Sequence, residues 1–192
     1  MNIIQIGCHD GNDHVFEFVS QNSSIISKAI LVEPIPENIK KAQLKYKDFN
    51  FVEFQEIAIV DSEDKDEISF FCPKDLIHSQ TASTDIKHVL RHESNVKELK
   101  VKCKSISKFL QEINFPIIDR LYIDAEGLDC AIIKQINFSK HDIRYIEYEY
   151  VHSDGSYHFG SKGIQVEQML LNLGFRKTKN TQFNVIFVRE DS

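Results

Sequence analysis

The chain has 192 residues, 42% hydrophobic and 27% charged, with a formal net charge of −6. That suffices for one globular, soluble domain spanning residues 1–192 with a real core. No apolar run approaches the roughly 20 residues of a membrane span, and no long Lys/Arg block marks the chain for duplex nucleic acid.

No basic segment precedes an apolar stretch at the N-terminus, and Ile3–Ile6 is too short for a signal peptide. The cysteines Cys8, Cys72, Cys103 and Cys130 form no C-x-x-C pair, so zinc-site spacing is absent; no metal ligand is assigned, and a metal requirement is not legible. Cys72 and Cys103 read as small core residues, which suggests a reducing, cytoplasmic setting.

The predicted elements alternate between strand and helix. Ile3, Ile4 and Ile6 form a β-branched run that breaks at Gly7. Gly11 follows, and then Val15, Phe16, Phe18 and Val19 recur at helical spacing. Ala29–Glu33 is a second strand, and Pro36 opens a second helix with Ile39, Ala42 and Tyr46 on its stripe. Phe51–Val60 reads as a third strand with an extended continuation. Asp61–Glu67 is a charged turn, and Ile68–Cys72 returns as a strand, giving an antiparallel excursion.

Lys74–Glu98 is polar and reads as a long loop with one helix turn, carrying His88, Arg91 and His92. Leu99–Lys104 reads as an edge strand. Ser105 caps a helix that runs through Ile113. Leu121–Ile123 is a fourth core strand, followed by a helix to about Ile136, and Ile143–Tyr150 is a fifth strand. After a Gly/His/Ser loop, Val166, Met169, Leu170 and Leu173 mark a last helix, which Gly174 closes. Phe175–Lys179 and Phe183–Arg189 read as a terminal antiparallel hairpin. The alternation implies an α/β fold, a mainly parallel sheet covered on both faces.

Three places carry candidate chemistry. The Gly7–Gly11 turn lets a ligand approach the backbone at a helix N-terminus. Glu33 ends the second strand near the offset of about 20 residues at which an acid meets a ribose diol. In Asp124-Ala125-Glu126-Gly127 the two acids share one strand face, and two nearby carboxylates raise one pKa, which makes a better general base. The same residue types can cap the following helix. After the fifth strand, Glu149, His152, Asp154 and His158 form a third group; a histidine such as His152 can take a proton from a hydroxyl.

Taken together in one order, these pieces resemble the FkbM family of S-adenosylmethionine-dependent methyltransferases over about residues 2–150. IGCHDG is similar to the family's cofactor turn, and VEPIPENIKK to its segment with an acid after the second strand. EIAI resembles its third-strand motif, TAST its element before the acceptor loop, and LYIDAEGLDCAIIK its K-I-D-x-E-G-x-E segment. Tyr122 stands where the family has Lys, and Asp129 where Glu is common.

The resemblance implies a class I methyltransferase (Rossmann-like) sheet of seven strands ending in the reversed hairpin. It implies S-adenosyl-L-methionine as cofactor and a small-molecule hydroxyl acceptor such as a sugar. Carried over by position, Gly7, His9, Asp10 and Gly11 would line the methionine part. Glu33 would hold the ribose, with Glu56 and Ile57 beside the adenine. Asp124 and Glu126 would lie near the methyl and acceptor. Apart from the resemblance, the chemistry of these side chains gives a mechanism: Asp124 positions cofactor and acceptor, and Glu126 or His152 accepts the proton.

Two other readings stay open. A nicotinamide-dependent oxidoreductase would use Glu33 in the same way, but Cys8, His9 and Asp10 separate the glycines and break the G-x-G-x-x-G fingerprint. A non-catalytic cofactor-binding module on the same fold is the other. The oligomeric state and the acceptor are not legible.

Overall fold

A computed structural model describes residues 1–75, 81–151, 153, 160–181 and 183–189. The chain runs β1 (Asn2–Ile6), α1 (His14–Gln21), β2 (Lys28–Val32), α2 (Pro36–Lys45), β3 (Val52–Gln55), β4 (Ala58–Val60) and β5 (Glu67–Pro73). It continues through α3 (Ile86–His92), β6 (Val96–Ser105), α4 (Ile106–Ile113), β7 (Ile117–Ile118), β8 (Arg120–Ile123) and α5 (Asp129–Lys134). It ends with β9 (Asp142–Ile143), β10 (Tyr145–Glu149), α6 (Ser161–Asn172), β11 (Phe175–Asn180) and β12 (Asn184–Arg189).

The main sheet has seven strands in the order β11-β12-β10-β8-β1-β2-β3. β1 lies near its middle, parallel to β2 on one side and β8 on the other. β10 is parallel to β8, and β12 runs antiparallel between β10 and β11. Side chains alternate across a strand, so β1 feeds two cores. Ile3 packs with Val15, Val19, Leu31, Ala42 and Tyr46 beneath α1 and α2. Ile4 and Ile6 pack on the other face with Phe109, Leu121, Ile132, Ile146, Val166 and Leu170 beneath α4, α5 and α6.

Local signals set the helix starts. The Asp13 carboxylate accepts from Val15 N and Phe16 N and caps α1. Pro36 opens α2, where a missing N–H costs nothing. Ser105 Oγ accepts from Lys108 N and caps α4.

The excursion after β3 differs from the sequence expectation. β4 does not pair with β5. Both pair with β6, β4 parallel and β5 antiparallel, so β6 is the central strand of a three-stranded sheet rather than an edge. Alternating polarity reports that one face is solvated; it does not report how many neighbours a strand has. The helix turn expected in Lys74–Glu98 is α3, seven residues long and capped by the Asp85 carboxylate accepting from Lys87 N. No helix of the described residues is long and apolar enough to cross a membrane.

Candidate active site

The carboxyl ends of β1, β2 and β8 meet at the first glycine turn. Gly7 N and Cys8 N both donate to Val32 O, at 2.9 and 3.0 Å, which ties the turn to β2. Gly7 has φ +78°, and a Cβ there would stand 1.8 Å from the Asp124 carbonyl oxygen. Only glycine lets these strand ends close together. Gly11 serves packing: a Cβ would meet the Tyr46 ring at 3.0 Å and Ala42 Cα at 3.2 Å. The Asp10 carboxylate accepts from Asn12 N at 3.0 Å and shapes the turn.

Glu33 is 5% exposed. Its Oε2 accepts from His9 N at 3.0 Å, and its Oε1 accepts from Ile35 N at 3.0 Å and Asn38 Nδ2 at 3.2 Å. Burial pushes it up to about 7 against the pull of these three donors. The carboxylate therefore locks the first turn to the start of α2.

The Asp124–Gly127 turn turns back on itself. Glu126 has φ 47° and Gly127 φ 106°, both left-handed. Asp124 does not cap α5. Asp129, with no exposed surface, instead accepts from Ala125 N at 3.2 Å and Gly127 N at 3.4 Å and holds the turn from inside. From the other side Ser83 Oγ donates to Glu126 O at 2.9 Å, and His88 Nε2 lies 3.0 Å from Glu126 Oε2.

Loss of hydration, then Asp124, raises Glu126. Burial, then Arg91, lowers His88. Both shifts run toward the neutral forms. Asp124 is raised by desolvation and then by Asp13, with His14 opposing. Asp124 is exposed.

Two clefts open on this junction. The first, of roughly 660 Å³, is lined among others by His9, Glu33, Ile35, Ile57, Phe70 and Glu126. The second, of roughly 640 Å³, is lined among others by Gln5, Asp13, His14, Tyr122, Glu147 and Glu149. They share Ile6, Gly7 and Asp124.

In the second cleft the Glu147 carboxylate lies 3.0 Å from His14 Nε2 and accepts from Asn184 Nδ2 at 2.8 Å and Tyr145 OH at 2.6 Å. Burial pushes Glu147 up, but these partners outweigh it and the net shift is downward. Glu149 is held up at about 8 by burial and then by Asp124 and Glu126.

The residues expected from sequence thus divide. Gly7, His9, Glu33, Ile57, Asp124 and Glu126 line the first cleft. Asp10 and Gly11 build its turn, and the Glu56 side chain is exposed. His152, with Asp154 and His158, lies outside the described residues. Sequence reasoning assigned no site role to His88, Asp129 or Gln5. An Asp85 cap before Ile86 and Val89 was the available sign of α3; nothing local marks the contact with Glu126.

The chain belongs to the methyltransferase FkbM domain family, whose model matches residues 5–177. Among solved structures it is similar to the methyltransferase FkbM of Methylobacillus flagellatus KT, at 11% identity and a TM-score of 0.54. That match covers 97% of this chain and 43% of the other, so this chain spans less than half the length of that relative. The fibrillarin pre-rRNA processing protein of Methanococcus jannaschii matches at 10% identity and a TM-score of 0.52, covering 100% of this chain and 67% of the other. The Streptococcus mutans protein SMU.1697c, solved in complex with SAH, matches at 10% identity and a TM-score of 0.50, covering 98% and 88%. No curated protein matches by sequence. The neighbours establish a class I methyltransferase fold.

Proposed function

We propose that this chain is an S-adenosyl-L-methionine-dependent O-methyltransferase acting on a hydroxyl of a sugar or another small molecule. The observation that carries this reading is the junction at Gly7 and Asp124, where a cleft with apolar walls meets an acidic one. Family membership supports methyl transfer, and the neighbour solved with SAH supports an adenosyl ligand on this fold.

The residues present fit that cofactor. Ile35, Ile57 and Ala58 offer apolar surface to a purine ring. A carboxylate has about four lone-pair sites; Glu33 uses three, which leaves one for a ribose hydroxyl. Gly7 puts no side chain between the clefts, and Asp124 sets negative charge where they join. The cofactor supplies an electrophilic methyl group on a positively charged sulfur.

The chain's task is then to align an acceptor oxygen and remove its proton. Alignment alone supplies roughly 7–11 kcal/mol in good intramolecular models. Asp124 orients the acceptor hydroxyl. Glu126 accepts its proton; its raised pKa makes it a stronger base once ionised. His152 is the second candidate for that role. The nicotinamide reading is not favoured, because the family is one of methyltransferases.

The test is transfer of labelled methyl from the cofactor to a panel of hydroxyl compounds by wild type and Asp124→Ala. Wild-type turnover that the variant lacks, with its thermal unfolding cooperative, is the expected result. Full activity in Asp124→Ala contradicts the assignment. Cofactor binding with no turnover on any acceptor favours a binding module.

A further inference from the structure

We propose that the second cleft is a subsite for a protonated amine carried by the acceptor, so that the substrate is an amino sugar or another hydroxylated amine. The proposal rests on the methyltransferase reading and adds to it the chemical class of the acceptor.

The argument starts from strand register. Gln5 on β1 stands opposite Tyr122 on β8, and Tyr122 stands opposite Glu147 on β10. Three adjacent strands thus set a polar row on one sheet face, and all three side chains line the cleft. Asp13 and His14 border it from the start of α1, and Asp124 and Glu149 from the strand ends.

Two of the acids are satisfied internally. Asp13 Oδ1 accepts from Val15 N and Phe16 N, and its Oδ2 accepts from Gln5 Nε2 at 2.6 Å. Glu147 is engaged by His14, Asn184 and Tyr145. What is left over is two oxygens without a partner. Gln5 is 4% exposed, and its Oε1 is buried without a partner. Its amide cannot turn over, because that would set oxygen against the Asp13 carboxylate. Glu149 Oε2 is likewise buried and unpartnered.

Buried acceptors without donors are costly, and a ligand that supplies donors recovers that cost. A neutral polyol brings donors but no charge, so it leaves Glu149 protonated. A primary ammonium brings three donors and the missing positive charge together. Among the described lining residues there is no Lys or Arg to supply that charge from the protein. The aromatic rings of Tyr122 and Phe183 line the same cleft and suit a cation.

The experiment titrates SAH-saturated protein with glucosamine and with N-acetylglucosamine, its neutral counterpart, following amide shifts by NMR. Glucosamine is expected to bind at least about tenfold more tightly, as a charged hydrogen bond supplies, and Glu149→Gln is expected to remove the difference. Gln5→Met, which keeps the shape and deletes the acceptor, should reduce it. Equal affinity for the two sugars, or a preference that survives Glu149→Gln, overturns the proposal.

A second arm separates the amine of the acceptor from that of the cofactor. SAH and 5′-methylthioadenosine, which lacks the amino-acid part, are titrated into wild type and Glu149→Gln. If the variant weakens SAH but not methylthioadenosine, the cleft reads the cofactor's own amine and the proposal falls. Failure of SAH to bind wild type contradicts the methyltransferase reading instead, and the sugar pair on the unliganded protein still decides the amine preference.

Discussion

Gly7 and Asp124 are joined so closely that a single methyl group on Gly7 would stand 1.8 Å from the Asp124 carbonyl oxygen. The ends of β1 and β8 owe their contact to that missing side chain, and both clefts open from it. Gly7→Ala adds the cost of a left-handed backbone at φ +78° to a steric overlap with rigid main chain. Strain and overpacking together are expected to cost about 3 kcal/mol or more. Urea unfolding of the variant measures this, and an unchanged midpoint would mean that the strand ends separate freely.

Asp129 offers a second test, because it acts on the turn without lining either cleft. Asp129→Ala leaves Ala125 N and Gly127 N without their acceptor. An orphaned buried donor costs about 1–3 kcal/mol. The expected outcome is a loss of about 2 kcal/mol in stability together with a sharp fall in methyl transfer, as Asp124 and Glu126 lose their fixed turn. Asp129→Asn, which keeps one acceptor, should fall between the two. Stability and activity measured on the same preparations check this.

Glu149 gives stability a pH dependence with a definite sign. Its pKa is about 8 in the fold against 4.5 for the ordinary group, so between these values the folded chain holds a proton that the unfolded chain has released. Its contribution is therefore present at low pH and is lost as pH rises from about 4.5 toward 8. Glu149→Gln mimics the protonated form and does not titrate. The melting temperature of the variant relative to wild type should climb across that interval and level off above it. A constant difference from pH 5 to pH 9 would show that Glu149 is not held protonated.

Much of the frame was legible because it depends on local chemistry. The β-branched Ile3, Ile4 and Ile6, the Pro36 helix start and the Ser105 cap each act within a few residues, and β1, α2 and α4 formed where they were expected. Glu33, Asp124 and Glu126 stood out because acids at strand ends are visible as a pattern. The pairing of β4 with β6 was hidden, since it joins segments far apart in sequence whose alternation fits several neighbours. His88 was hidden for the same reason: its contact with Glu126 depends on α3 folding back over the turn. The second cleft depends on the register of three strands, and Gln5 in an apolar run reads as an ordinary strand residue until its neighbours are known.

The most direct test of the account is calorimetric titration of the wild-type chain with SAH. A one-to-one binding isotherm, weakened by Asp124→Ala and competed by S-adenosyl-L-methionine, is the expected result. No heat from either compound, while the protein still unfolds cooperatively, would contradict it.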